Sequence, residues 1–167
     1  MQRSAAVLLA LAFAACGGGN GTNVPAAPSP GVAETGEAVA RVGDVSVRAS
    51  VVQTSTLDEA VAREYGITRD PGTVLLLVAV RQGPDASAVA LSARISATAT
   101  DLRGGRQDIA MRALKTGDPG SGPGRALLDY VGIVTTTLPD TLRFDITVVR
   151  EGGATSTLQI TREFYPR

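Results

Sequence analysis

Along residues 45–51 apolar and polar positions alternate, with Val45, Val47, Ala49 and Val51 set against Ser46, Arg48 and Ser50. Successive side chains of a strand point to opposite faces, so this period of two predicts a strand with one buried face. The alternation returns at 91–100, where Leu91, Ala93, Ile95, Ala97 and Ala99 oppose Ser92, Arg94, Ser96, Thr98 and Thr100. Between these runs, residues 74–80 (VLLLVAV) are apolar without interruption and predict a central strand. Further strands are predicted at 106–115, 126–137, 141–150 and 155–165, which brings the number to seven.

One segment breaks the period. Thr56-Leu57-Asp58-Glu59 has the form of a capping box, and Gly66 can end a helix in the left-handed conformation, so a helix of two or three turns is predicted after the first strand. Leu57, Val61 and Tyr65 then share a stripe that would cover an open edge or end of the sheet. Arg103-Gly104-Gly105 and Glu151-Gly152-Gly153 lie between alternating runs and predict hairpin loops of three residues, each with a bulge. Such loops set Ala99 against Ile109, Ala97 against Met111, Phe144 against Ile160 and Ile146 against Leu158. Loops of two residues would slip the register by one and oppose these core residues to polar ones. The pattern as a whole predicts an all-β fold, an immunoglobulin-like antiparallel β-sandwich of about seven strands with one short helix after the first; a small barrel is the alternative.

Residues before the alternation read differently. Arg3 followed by the apolar run 5–15 (AAVLLALAFAA) has the layout of a secretory signal, and the run is shorter than the roughly 20 apolar residues that span a bilayer. Phe13-Ala14-Ala15-Cys16 resembles the lipobox of bacterial lipoproteins, with Phe13 where an aliphatic residue is usual, so Cys16 is the expected lipidation site. A plain secretory signal cut nearby would instead leave Cys16 as a free thiol. Residues 17–36 are rich in Gly, Pro and Ala and carry no apolar period; they predict a flexible tether with a reach of about 25 Å. The expected organisation is a signal peptide at 1–15, a lipidated N-terminus and tether at 16–39, and one domain at 40–167. A lipid at Cys16 would make the membrane a partner. Gly17, rather than an Asp, after the cysteine leads to the expectation of the periplasmic face of the outer membrane.

The residues Ala62-Arg63-Glu64-Tyr65-Gly66-Ile67, the strand from Ile95 to Asp101, Leu142-Arg143-Phe144-Asp145-Ile146 and Glu163-Phe164-Tyr165 carry a resemblance. From about Val42 to Tyr165 the chain resembles a bacterial envelope family known only as a domain of unknown function, DUF4426. The resemblance implies an immunoglobulin-like fold and brings no activity and no catalytic residue with it.

Composition narrows the chemistry further. Sixteen basic and sixteen acidic residues balance to a formal charge of zero, and the basic ones are scattered, so no nucleic-acid partner is expected. There is no histidine, which excludes a Ser-His-Asp triad, and Cys16 is the only cysteine, which excludes an internal disulfide and a Cys/His metal site. The run 117–124 (GDPGSGPG) lacks the Lys-Ser or Lys-Thr of a phosphate loop. No metal, no cofactor and no catalytic residue are therefore expected. Only paired carboxylates could supply acid–base chemistry, from Asp58, Glu59, Glu64, Asp101, Asp108, Asp129, Asp145 and Glu163. Arg162 falls on the apolar face of Leu158, Ile160 and Phe164, which predicts either an edge position or a partly buried ion pair. The expected role is a non-enzymatic module that binds an envelope protein; the alternative is a binder of a small molecule or glycan, or a weak carboxylate hydrolase, at one end of the sandwich.

Overall fold

Alternating segments form strands wherever their apolar face finds a second sheet. The computed structural model of the protein describes residues 31–33, 36–116 and 127–166. The predicted signal, Cys16, the tether as far as residue 30 and the glycine-rich run at 117–124 lie outside the described residues. The elements are β1 (Gly31–Ala33), β2 (Glu37–Val42), β3 (Val45–Gln53), α1 (Glu59–Tyr65), β4 (Thr73–Gln82), β5 (Val89–Ala90), β6 (Ala93–Thr100), β7 (Arg106–Ile109), β8 (Arg112–Thr116), β9 (Leu127–Thr135), β10 (Asp140–Arg150) and β11 (Thr155–Phe164). One sheet has the order β1-β11-β10-β6-β7 and the other β2-β3-β4-β9-β8, with β5 pairing β4. The sheets are antiparallel except where β1 joins β11 in parallel.

The result is an all-β sandwich. Val47, Ala49, Val51, Leu76 and Val78 of one sheet meet Ala97, Ala99, Phe144, Ile146, Leu158 and Ile160 of the other in a single core. Each large side chain fully buried there contributes roughly 1.5–3 kcal/mol. The uninterrupted apolar run is β4, central in its sheet: Val74, Leu76, Val78 and Val80 face the core, and Leu75 and Leu77 lie on the other face under α1.

Several expectations are corrected. Among the described residues the strands number eleven, because β1, β2 and β5 escape the alternation and because 106–115 is two strands in different sheets. Residues 31–33 and 37–39, expected in the tether, pair with β11 and β3. The helix cap is Asp58 rather than Thr56: its carboxylate accepts from the N–H groups of Ala60 at 2.8 Å and Val61 at 3.4 Å, while the Thr56 hydroxyl donates to Gln53 O. Gly66 does close the helix, at φ +60°. The helix covers the outer face of the β4 sheet rather than an edge or end; Leu57 and Tyr65 pack there with Ile67, Leu75 and Val131, and Val61 is exposed.

Both hairpin loops have three residues. In the β10–β11 hairpin Phe144 faces Ile160 and Ile146 faces Leu158, as expected. In the β6–β7 hairpin Ala97 faces Ile109 and Ala99 faces Gln107, two residues from the expected register. The cause is Asp101, whose carboxylate accepts from the N–H groups of Arg103 at 2.8 Å and Gly105 at 2.7 Å. That local bonding starts the turn one residue earlier and puts Gly104 at φ +84°.

The flanks of the sandwich are closed by chain that changes sheet. On one side β7 passes through Ala110 and Met111 into β8; on the other β1 precedes β2, and each of these four strands is an outermost one. At the first corner Gly132 of β9 makes room: a Cβ there would stand 2.4 Å from Ile109 Cγ2 and 2.7 Å from Met111 Sδ.

Candidate functional site

On the outer face of the six-stranded sheet, beside α1, charge is drawn into apolar surroundings. Ala79 of β4 faces Asp129 of β9, and Arg81 lies two residues further along the same face. Arg81 Nη2 donates to Asp129 Oδ1 at 2.5 Å and Nη1 donates to Leu128 O at 2.9 Å, with the two side chains only 18% and 9% exposed. Desolvation offsets much of the Coulomb gain of such a pair, so its presence is weak evidence for stability, but removal of one member strands the other. Tyr65, at the end of α1, packs half-buried against Leu75 and Val131, close enough to feel the Asp129 charge. Burial first, then the negative charges of Asp129 and Glu64, raises its phenol above the usual 10.0, and it stays neutral at neutral pH. Arg112 of β8 donates to the Tyr65 carbonyl and ties the helix to the sheet. The Asp129 charge is already met by Arg81, so the cluster is a strut rather than a poised base.

The other carboxylates are dispersed. Asp58 caps α1, Asp101 shapes the β6–β7 turn, and Glu59 lies 3.8 Å from Arg63 on the exposed helix face. Asp145 accepts from Gln159 Nε2 at 2.7 Å and Arg143 Nε at 3.2 Å. Glu163 accepts from the Tyr165 hydroxyl at 2.5 Å, and that bond, followed by the Glu163 charge, raises the exposed Tyr165 phenol above its ordinary value. Among the described residues three depressions hold two carboxylates each. Asp44 and Asp85 line the first, of about 410 Å³, beside Gly43 and Gly83. Asp108 and Asp145 line a second of about 430 Å³ on the outer face of the five-stranded sheet. Asp101 and Asp140 line another of about 170 Å³ at the end of the sandwich, below the roughly 300–1,000 Å³ of ordinary ligand pockets. Among the described residues no three of His, Cys, Asp and Glu gather as a metal site requires.

Arg162 makes no ion pair among the described residues, contrary to one of its two expected roles. Its Nη1 donates to Val51 O at 2.5 Å across the sandwich, and its guanidinium lies 5.6 Å from the Phe164 ring centroid. Gly36 lies against it, at φ +78°, and accepts from Val51 N–H at 2.8 Å. Sequence reading missed this latch and the Arg81–Asp129 pair. The signal for the pair was present as two isolated charges adjoining or interrupting the apolar runs VLLLVAV and LLDYVGIV.

The comparisons agree with this architecture. Residues 39–167 match the family model described as Domain of unknown function (DUF4426). The fold is similar to the crystal structure of a DUF4426 family protein from Pseudomonas aeruginosa PAO1, with a TM-score of 0.57 and 23% identity over 79% of this chain and 97% of that one. At that identity the likeness carries the fold alone. A search of curated proteins gives no match.

Proposed function

Since the chain belongs to the DUF4426 family of domains of unknown function, we propose from its own residues that it is an exported, lipid-anchored envelope protein whose sandwich is a non-enzymatic protein-interaction module. The observation that supports the module reading is the engagement of the carboxylates: Asp58, Asp101, Asp129, Asp145 and Glu163 each accept from a neighbour and act as caps, turns and pairs. Lipid attachment at Cys16 rests on the signal and lipobox pattern, and with it the periplasmic face of the outer membrane. No helix among the described residues is long and apolar enough to cross a membrane. Crosslinking in intact cells from surface sites on the domain, followed by mass spectrometry, tests the reading with Cys16→Ala as the control. One envelope protein captured by the lipidated form and lost in the control is the expected result; capture of nothing by either form contradicts it.

A second reading, a binder of a small molecule or glycan, has one observation in its favour. Ser92, Arg94, Arg150 and Glu151 line a depression of about 530 Å³ at one end of the sandwich, and Arg150 Nε is buried there without a hydrogen-bond partner among the described residues. Ligand-induced thermal stabilisation that disappears in Arg150→Gln would favour it.

A further inference from the structure

We propose that the β11 edge from Thr155 to Ile160 is the surface on which this domain takes up an extended, uncharged strand of a partner protein, with β1 as its removable occupant; this rests on the interaction-module reading. Strand edges left open invite pairing with other chains, and charged residues on them discourage it. Three outermost strands carry such charges: Glu37 and Arg41 on β2, Arg106 and Asp108 on β7, Arg112 and Lys115 on β8. Residues 154–160 carry none, and here the chain covers the edge with a strand of its own.

That edge accepts a strand, because Gly31, Val32 and Ala33 already pair on it with Leu158, Gln159 and Ile160. The occupant is weakly held. It has three residues, its pairing is parallel, and parallel ladders are slightly less stable per residue than antiparallel ones. On its other side β11 pairs with β10 at every position from Thr155 to Phe164, so the edge keeps its shape when β1 leaves. Opening stops at Gly36, whose carbonyl is held by Val51 N–H and whose open side is filled by Arg162. Beyond that latch β2 is registered on β3 from Glu37 to Val42. A strand arriving in place of β1 would pair through its backbone beside exposed Thr155 and Thr157, as in β-augmentation. Small and β-branched uncharged residues, like the Gly-Val-Ala it displaces, fit that border.

The test is photo-crosslinking in intact cells from an amino acid placed at Thr157 of the full chain, with a second probe at Lys115 on β8. Three backgrounds are compared: the unaltered chain, Val32→Pro, which weakens β1, and Val32→Cys with Gln159→Cys, which locks it. The adduct with an envelope protein at Thr157 is expected to rise about threefold or more in Val32→Pro, as the competent population grows, and to vanish in the locked form. Equal yields in all three backgrounds, or a yield that falls in Val32→Pro, overturn the proposal. Adducts at Lys115 alone overturn the β11 edge while leaving the interaction-module reading in place, and no adduct at either site overturns both.

Discussion

The two flanks of the sandwich solve one problem with different chemistry. Where β7 turns into β8, the corner is fitted sterically: Ile109 and Met111 occupy the space that Gly132 leaves by having no side chain. Where β1 leads to β2, it is held by polar contacts, with Gly36, Val51 and Arg162 joined by two hydrogen bonds, one extending the β2–β3 ladder and one crossing between the sheets. A steric fit in a core is stiff, because interiors are close-packed and a single added carbon must displace its neighbours. A latch of two hydrogen bonds and one cation over a ring is modest in energy and stands at the start of the domain. The first flank should open only with the whole domain, whereas the strand upstream of the second can leave alone.

A reference for the largest loss lies on neither flank. Asp129→Ala should lower unfolding free energy by about 3–5 kcal/mol, since it strands Arg81 in a largely buried site; urea denaturation checks this, and recovery in Arg81→Met with Asp129→Leu would show the cost to be that of an unpaired charge. At the fitted corner Gly132→Val should cost about 3 kcal/mol through overpacking, seen as a fall in urea midpoint with a rise in exchange at Ile109. At the latch Arg162→Leu should cost about 1–2 kcal/mol, and a loss as large as that of Gly132→Val would erase the difference between the flanks. Val32→Pro, upstream of the latch, should stay within about 0.5 kcal/mol of the parent in the same titration.

The smallest effect is a pH dependence away from both flanks. The Tyr65 phenol is raised above 10.0 in the folded state, so its stabilising contribution is complete below the unfolded value and is lost as pH rises through the folded one. Thermal melts across the alkaline range should therefore fall less steeply in Tyr65→Phe than in the parent.

The sandwich and most of its strands were legible because their alternation is clean. Register was legible in the β10–β11 hairpin, where Arg150 N–H donates to Ala154 O and closes the loop on Glu151-Gly152-Gly153. In the β6–β7 hairpin the same rule missed by two, because Asp101 prefers bonds to its own turn over a loop placed on Gly104-Gly105. The corner inside 106–115 left no mark, since Ile109 and Met111 keep the apolar phase of a continuous strand while the chain changes sheet. β2 hid in the tether because its inward residues begin with the small Ala38 and Ala40, and Val39 and Val42 are exposed. Arg162 stood out by its place in the pattern, yet its partner was a backbone carbonyl, which no sequence period reveals.

Residue-resolved hydrogen exchange on the full chain tests the contrast between the flanks most directly. The amides of Val32 and Ala33 should exchange at least about a hundredfold faster than those of Ile109 and Arg112, through local opening that leaves the domain folded. Equal protection at the two flanks, or faster exchange at Ile109 and Arg112, would contradict it.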